Sequence, residues 1–230
     1  MKKGELKKQE ILRTAEARFC RDGYEKTSIQ DILDDLHTSK GSFYHHFVSK
    51  EALLEEICRN RAAEYSEQVF QRITEDMNPS DRLNLLIDGM IPFNGEKISF
   101  LLMLIPVFSG PEGIMIRNCY ANELERLYGG KIADTLQKGT EESVYACSDP
   151  EFSAKMLSML VNRFWLEICD QVLENEALGR NTDAGDLMSL TDNYRRVMER
   201  LISAPYGSLD LISLSEVQAL TEQIHLHWKK

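Results

Sequence analysis

The sequence predicts an all-α protein with a helix-turn-helix near its N-terminus. Apolar residues recur at intervals of three and four along most of the 230 residues, which is the spacing of a buried helix face. No alternating apolar pattern is long enough to indicate a strand. A third observation is the close succession of short helical patterns before residue 60, separated by turns of a few residues.

The first two predicted helices have clear ends. The first runs from about residue 6 to residue 21, where Gly23 would adopt a left-handed cap and Tyr24 would fold back onto the last turn. Thr27 or Ser28 then caps the second helix through its hydroxyl oxygen. The predicted buried stripes are Ile11, Leu12, Ala15 and Phe19 in the first helix and Ile29, Ile32, Leu33 and Leu36 in the second.

A short third helix follows after a break of about two residues. Thr38 or Ser39 caps it, and Phe43 and Phe47 lie one turn apart on its inner side. Ser49 caps the fourth helix. The fourth and later helices are predicted over residues 51–76, 80–91, 96–107, 114–143, 150–175, 184–203 and 213–227.

Charge is unevenly distributed along this acidic chain. The net charge is −10, yet residues 1–50 hold ten basic and eight acidic side chains, and residues 36–50 hold no acid at all. An acid-free stretch in an acidic protein favours a focused contact with an anion. The groups in this stretch that suit phosphates and base edges are Thr38, Ser39, Lys40, Gly41, Ser42, Tyr44, His45 and His46.

A pattern of many residues connects these helices to a known family. It consists of Ile11, Leu12, Ala15, Phe19, Gly23, Tyr24, 27–29, Ile32, 39–47 and 49–53. This pattern, within residues 5–65, resembles the N-terminal DNA-binding domain of the tetracycline-repressor (TetR) family. With the positions that the resemblance adds, the candidate DNA-binding residues are Thr27, Ser28, Thr38, Ser39, Lys40, Gly41, Ser42, Tyr44, His45, His46 and Lys50.

The resemblance also implies a domain organisation. Residues 1–65 would form the three-helix helix-turn-helix DNA-binding domain, and residues 66–230 a helical domain for ligand binding and dimerisation. Three residues depart from the family's pattern. The turn position, usually glycine, is His37, while Asp34 and Asp35 place negative charge near the C-terminal end of the second helix, where the macrodipole disfavours it.

The second half of the chain holds two predicted sites. Apolar side chains that would line a ligand cavity, or alternatively fill a solid core, are Phe100, Met103, Phe108, Met115, Phe164 and Trp165. The 150–175 helix is apolar over more than one face, so we expect a partner subunit to cover it and the 184–203 helix. Val161 and Leu190 are the predicted outward positions. The alternative cover is the 213–227 helix.

Other classes of function lack their motifs. No nucleophile elbow, phosphate loop, HExxH or convergent carboxylate pair is present, so neither an enzyme activity nor a cofactor is expected. The adjacent His45 and His46 point about 100° apart, which disfavours a metal site. The five cysteines predict reduced thiols in the cytoplasm, with oxidant sensing as the alternative. The longest apolar run, Ile98–Phe108, is too short to cross a membrane.

The sequence therefore predicts a homodimeric transcription regulator that binds double-stranded operator DNA. It would be a repressor, released from a palindromic operator by a small apolar or aromatic effector. The alternative hypothesis is a TetR-like helical protein that acts through protein contacts without binding DNA. The departures at Asp34, Asp35 and His37 keep that alternative open.

Overall fold

The computed structural model of the protein describes residues 3–93 and 97–228, which form ten helices and no strand. The helices are α1 (Lys3–Asp22), α2 (Ile29–Asp35), α3 (Lys40–Tyr44), α4 (Lys50–Phe70), α5 (Pro79–Met90), α6 (Lys97–Phe108), α7 (Gly113–Glu141), α8 (Pro150–Ala177), α9 (Ala184–Ile202) and α10 (Leu214–Trp228). The all-α prediction is confirmed. The fourth helix is shorter than predicted, and the predicted helix start at residue 96 lies outside the described residues.

Local capping chemistry sets the ends of the first helices. Gly23 has a φ of 89° and donates its backbone N–H to Phe19 O at 3.0 Å, closing α1 as predicted. The Tyr24 ring folds back onto the Phe19 ring, with centroids 5.1 Å apart. Ser28 and not Thr27 caps α2, in a reciprocal capping box with Asp31.

The chain divides into two compact units. The first comprises residues up to 61 together with 99–120, and the second comprises 62–98 and the residues from 121 onward. In the first unit, the predicted inner side chains of α1 to α3 are buried, except for Ile29 and Leu36, which are half-buried, and Leu53, Leu54 and Ile57 of α4 are also buried. The buried set is Ile11, Leu12, Ala15, Phe19, Ile32, Leu33, Phe43, Phe47, Leu53, Leu54 and Ile57.

Helices α8 and α9 pack together in the second unit, and α10 packs on α9. The prediction that Val161 faces outward is wrong, because its side chain is fully buried in the core of this unit. The apolar residues that do face outward are Phe152 and Met159 on α8, 58% and 51% exposed, and Val197 on α9, 51% exposed. The period of the sequence placed Phe152 and Met159 on α8 but did not show which face of α8 the helix α9 would cover.

Helix α6 is the most apolar helix of the chain among those described. Its side chains from Phe100 to Ile105 are buried, whereas Pro106 in its last turn is exposed. Among the residues that the structure describes, no helix combines the length and the apolar character required to cross a membrane.

Candidate nucleic-acid interface

The short helix α3 has a buried side and an exposed side. Phe43 and Phe47 lie in the core of the first unit, with ring centroids 5.8 Å apart. The remaining side chains at this helix are available at the surface. Lys40, Gly41, Tyr44 and His45 are exposed, and Ser42 and His46 are half-buried. The structure therefore brings these six candidate residues together on one short surface segment.

The turn between α2 and α3 is a left-handed helix cap. His37 has a φ of 47°, a conformation in which a side chain is strained. Its N–H donates to Asp34 O at 3.2 Å, and the Thr38 N–H donates to Leu33 O at 3.1 Å, the pair of bonds that defines a Schellman motif. His37 thus adopts the geometry for which the family pattern has glycine, and the turn is formed.

The acidic residues near this turn have partners. Asp35 accepts two hydrogen bonds from Arg18 of α1, Nε to Oδ2 at 2.7 Å and Nη2 to Oδ1 at 3.2 Å. The hydrogen bond from Arg18 lowers the pKa of the Asp35 carboxyl. Asp34 accepts a hydrogen bond from Gln30 Nε2 at 2.7 Å. Sequence reasoning missed these partners, because Arg18 lies seventeen residues before Asp35.

Two candidate residues form hydrogen bonds to carbonyls of the loop between α1 and α2. Thr27 is only 1% exposed, and its hydroxyl donates to Gly23 O at 2.8 Å. Lys50 is half-buried, with Nζ donating to Tyr24 O at 3.1 Å and to Thr27 O at 3.2 Å. This ammonium also lies 4.1 Å from the centroid of the Tyr24 ring. Lys50 therefore ties the start of α4 to the loop before α2.

The serine candidates serve as caps. Ser28 Oγ accepts from the Asp31 N–H and donates to the Asp31 carboxylate, and Ser39 Oγ accepts from the Ser42 N–H at 3.3 Å. Thr38 is half-buried in the turn. These hydroxyls position the helices, and Ser28 and Ser39 remain exposed at the surface.

The candidate ligand residues fall into the two units. Phe100, Met103 and Phe108 are buried in the first unit, where Met115 is exposed. Phe164 and Trp165 are buried in the second unit. The Phe164 ring packs on Phe93 and Tyr194, and Trp165 Nε1 donates to Asn162 Oδ1 at 3.1 Å. None of the four cavities described for this protein is lined by any of these six residues.

The cysteines differ in their exposure to solvent. Cys58, Cys147 and Cys169 are buried, Cys119 is half-buried and Cys20 is exposed. Desolvation of the Cys20 thiol by neighbouring protein atoms, together with the nearby charge of Glu16, raises its pKa to about 11, which makes this thiol a poor nucleophile. Within the described part of the chain, no cluster of His, Cys, Asp and Glu side chains suits a metal ion.

Comparison with known proteins identifies the helix-turn-helix. Residues 11–57 match the family model described as bacterial regulatory proteins, tetR family. The HTH-type transcriptional repressor KstR2 of Mycobacterium tuberculosis is 35% identical over 78 residues, which cover 32% of this chain and 37% of that protein. The chain spans half the length or less of the curated relatives first matched.

Solved structures share the fold over nearly the whole chain. A TetR-family transcriptional regulator from Mesorhizobium loti is 16% identical, with a TM-score of 0.54 and coverage of 100% of this chain and 98% of that one. RolR, solved in complex with resorcinol, is 13% identical, with a TM-score of 0.57 and coverage of 96% and 95%. Residues 11–57 of this chain therefore form a helix-turn-helix of the TetR family of bacterial regulatory proteins, and the all-helical fold is shared with the solved structures.

Proposed function

We propose that this protein is a transcription regulator that inserts α3 into the major groove of operator DNA. The observation that carries the proposal is that Tyr44 and His45 are exposed and Ser42 is half-buried at the surface of α3, whereas Phe43 is buried. A recognition helix needs this division between a fixed inner side and a free polar outer side. The acidic rest of the protein would repel DNA, which limits the contact to this segment.

A gel-shift titration tests this proposal. The full chain should bind the intergenic DNA upstream of its own gene at lower concentration than a scrambled duplex of equal length and composition. The affinity for DNA should fall steeply between about 50 and 200 mM salt. A protein that makes six to ten phosphate contacts loses about 10³- to 10⁵-fold in affinity over this range. Equal affinity for both duplexes over the whole salt range would contradict specific operator binding and favour a function through protein contacts.

Lys50 and Thr27 would help to position the DNA-contacting surface of α3. We assign Lys50 a double role, because its ammonium has three N–H donors and two of them are used by Tyr24 and Thr27 carbonyls. The third donor is available for a phosphate. Thr27, buried with its hydroxyl bonded to Gly23, would act by holding this loop and not by touching DNA.

The proposed regulator works as a homodimer. Phe152 and Met159 on α8 and Val197 on α9 leave apolar surface exposed on the two helices that the sequence predicts for the interface. Leu190 and Tyr194 are half-buried on α9. A two-fold pair of subunits places two recognition helices about one turn of DNA apart, or a multiple of it, which is why a palindromic operator follows.

A small apolar or aromatic effector would release the DNA. As candidate contacts, the first unit offers Phe100, Met103, Phe108 and Met115, and the second unit separately offers Phe164 and Trp165. Support comes from their apolar, aromatic character and from RolR, which shares the fold and was solved with resorcinol. Such an effector must bind free protein more tightly than DNA-bound protein, by the same factor as it weakens DNA binding. Isothermal titration of an effector with and without operator measures both affinities, and equal values would refute the coupling.

A further inference from the structure

A small cavity lies between the C-terminal half of α9 and the loop that follows it. Its volume is about 420 Å³, and its lining residues are Arg196, Glu199, Arg200, Ala204 and Tyr206. None of them belongs to the proposed DNA-contacting or effector-contacting residues. The cavity is therefore a site without an assigned role.

Glu199 brings an acidic group into the interior at this cavity. The residue is only 3% exposed. Its Oε1 accepts a hydrogen bond from the Leu209 N–H at 3.2 Å, whereas Oε2 is buried and has no hydrogen-bond partner among the described residues. A buried carboxylate oxygen without a donor is unfavourable, so Glu199 offers a strong acceptor to a ligand that carries N–H groups.

Further hydrogen-bonding atoms without a partner lie on α9 and on the loop after it. Arg195 Nε and Ser208 Oγ are buried, and neither has a hydrogen-bond partner within the described residues. The Arg195 guanidinium contacts the loop after α9, since its Cζ lies 5.4 Å from the centroid of the Tyr206 ring. The unused groups are thus grouped on α9 and the 203–209 loop.

The arginines on the rim carry positive charge that is not neutralised. Arg196 and Arg200 are exposed, and neither forms an ion pair with a described residue. They lie three residues before and one residue after Glu199 on the same helix. The guanidiniums of Arg195 and Arg196 both lie over the Tyr206 ring, at 5.4 and 5.9 Å. Because this ring already has these partners, Tyr206 forms a wall of the cavity and not a platform for a flat aromatic ligand.

We propose that this cavity binds a free α-amino acid through its zwitterionic backbone. The ammonium group would donate to Glu199 Oε2, and the carboxylate would accept from Arg196 and Arg200, as guanidiniums pair with carboxylates. A simple anion would face the Glu199 carboxylate, and a simple cation would face two arginines. A molecule that carries both charges can pair its ammonium with the Glu199 carboxylate and its carboxylate with the two arginines. This site goes beyond the proposed DNA and effector binding and does not depend on either.

Isothermal titration of the full chain, without DNA, tests the proposal. The probes are the twenty common L-amino acids at millimolar concentration, with acetate, inorganic phosphate and methylammonium as single-charge controls. At least one amino acid should bind at least tenfold more tightly than acetate, phosphate or methylammonium. The proposal is overturned if no amino acid binds, or if acetate or phosphate binds as tightly as the best amino acid.

Variants then locate the binding. The double variant Arg196→Ala, Arg200→Ala removes two exposed side chains and should weaken binding at least tenfold, whereas Arg180→Ala, which removes an exposed arginine after α8, should leave it unchanged. Glu199→Gln keeps an acceptor for the Leu209 N–H and should also weaken binding at least tenfold. If Glu199→Gln fails to fold, the double arginine variant still tests whether the amino acid binds at this cavity. Unchanged affinity in the double variant would place the amino acid elsewhere and overturn the proposal.

Discussion

Arg18 on α1 and Asp35 on α2 are joined by two hydrogen bonds, Nε to Oδ2 at 2.7 Å and Nη2 to Oδ1 at 3.2 Å. A bidentate pair of this kind orients both side chains and also brings their opposite charges together. Arg18 also lies within 3.8 Å of Asp22 and 3.7 Å of Asp31. The charge of Asp35, which is unfavourable at the C-terminal end of a helix when alone, is thus accommodated by α1.

This pair predicts a pH-dependent contribution to stability. The pKa of Asp35 is lowered in the folded state by Arg18, so the contribution is present above the pKa of an unfolded aspartate, about 4, and is lost as pH falls through the folded pKa. Asp35→Asn should lower the thermal unfolding midpoint at pH 7. The gap between the midpoints of the variant and of the unmodified protein should narrow below about pH 4. A difference that stays constant between pH 7 and pH 3 would contradict the assignment to this carboxylate. Asp34→Asn is the neighbouring control, because Asp34 forms no ion pair with a described residue.

Replacing His37 by glycine should stabilise the first unit. The left-handed φ of 47° at His37 strains any residue that carries a Cβ, and glycine removes this strain at the cost of a more flexible unfolded chain. We expect His37→Gly to raise the free energy of unfolding in urea by about 0.5–1 kcal/mol. His37→Ala, which keeps the Cβ, should bring no gain. A lower stability for His37→Gly would show that the imidazole makes a contact that matters more than the strain.

Two kinds of DNA contact should separate by mutation. Lys50→Ala should weaken binding to operator and scrambled DNA alike and reduce the salt slope by about 1, as loss of a phosphate contact does. Ser42→Ala and His45→Ala should instead change base preference, by about 1–3 kcal/mol where a base contact is lost. Binding of each variant to a set of single-base operator variants measures both effects. Lys155→Ala on α8 is the control, and an unchanged affinity for Lys50→Ala at moderate salt would remove Lys50 from the interface.

Charges on the outward faces of α8 and α9 should dissociate the proposed dimer. Met159→Glu and Val197→Glu place a carboxylate where we expect a second subunit to bury apolar surface. Leu214→Glu on α10 is the matched control, because Leu214 is about equally exposed, at 52%. Sedimentation at micromolar concentration should show dimers for the unmodified protein and the control and monomers for the two variants. A monomeric unmodified protein would refute the dimer.

The sequence by itself determined most of the helix-turn-helix, because short-range chemistry sets the ends and the inner side of each helix. Gly23 ends α1, serine hydroxyls at Ser28, Ser39 and Ser49 cap the next helices, and the apolar spacing selects the buried side of each. These features depend on residues within one or two turns of each other, so a linear pattern is sufficient to reveal them.

The tertiary structure decided what lies opposite each helix face. The pattern showed an acid at Asp35, but it did not show that Arg18 of α1 pairs with this acid. It showed a lysine at Lys50, but it did not show that this lysine donates to the carbonyls of Tyr24 and Thr27. The pattern also placed Val161 outward, although its neighbours bury it. The physical reason is that periodicity reports which side chains share a face, whereas burial and pairing depend on which distant element packs against that face.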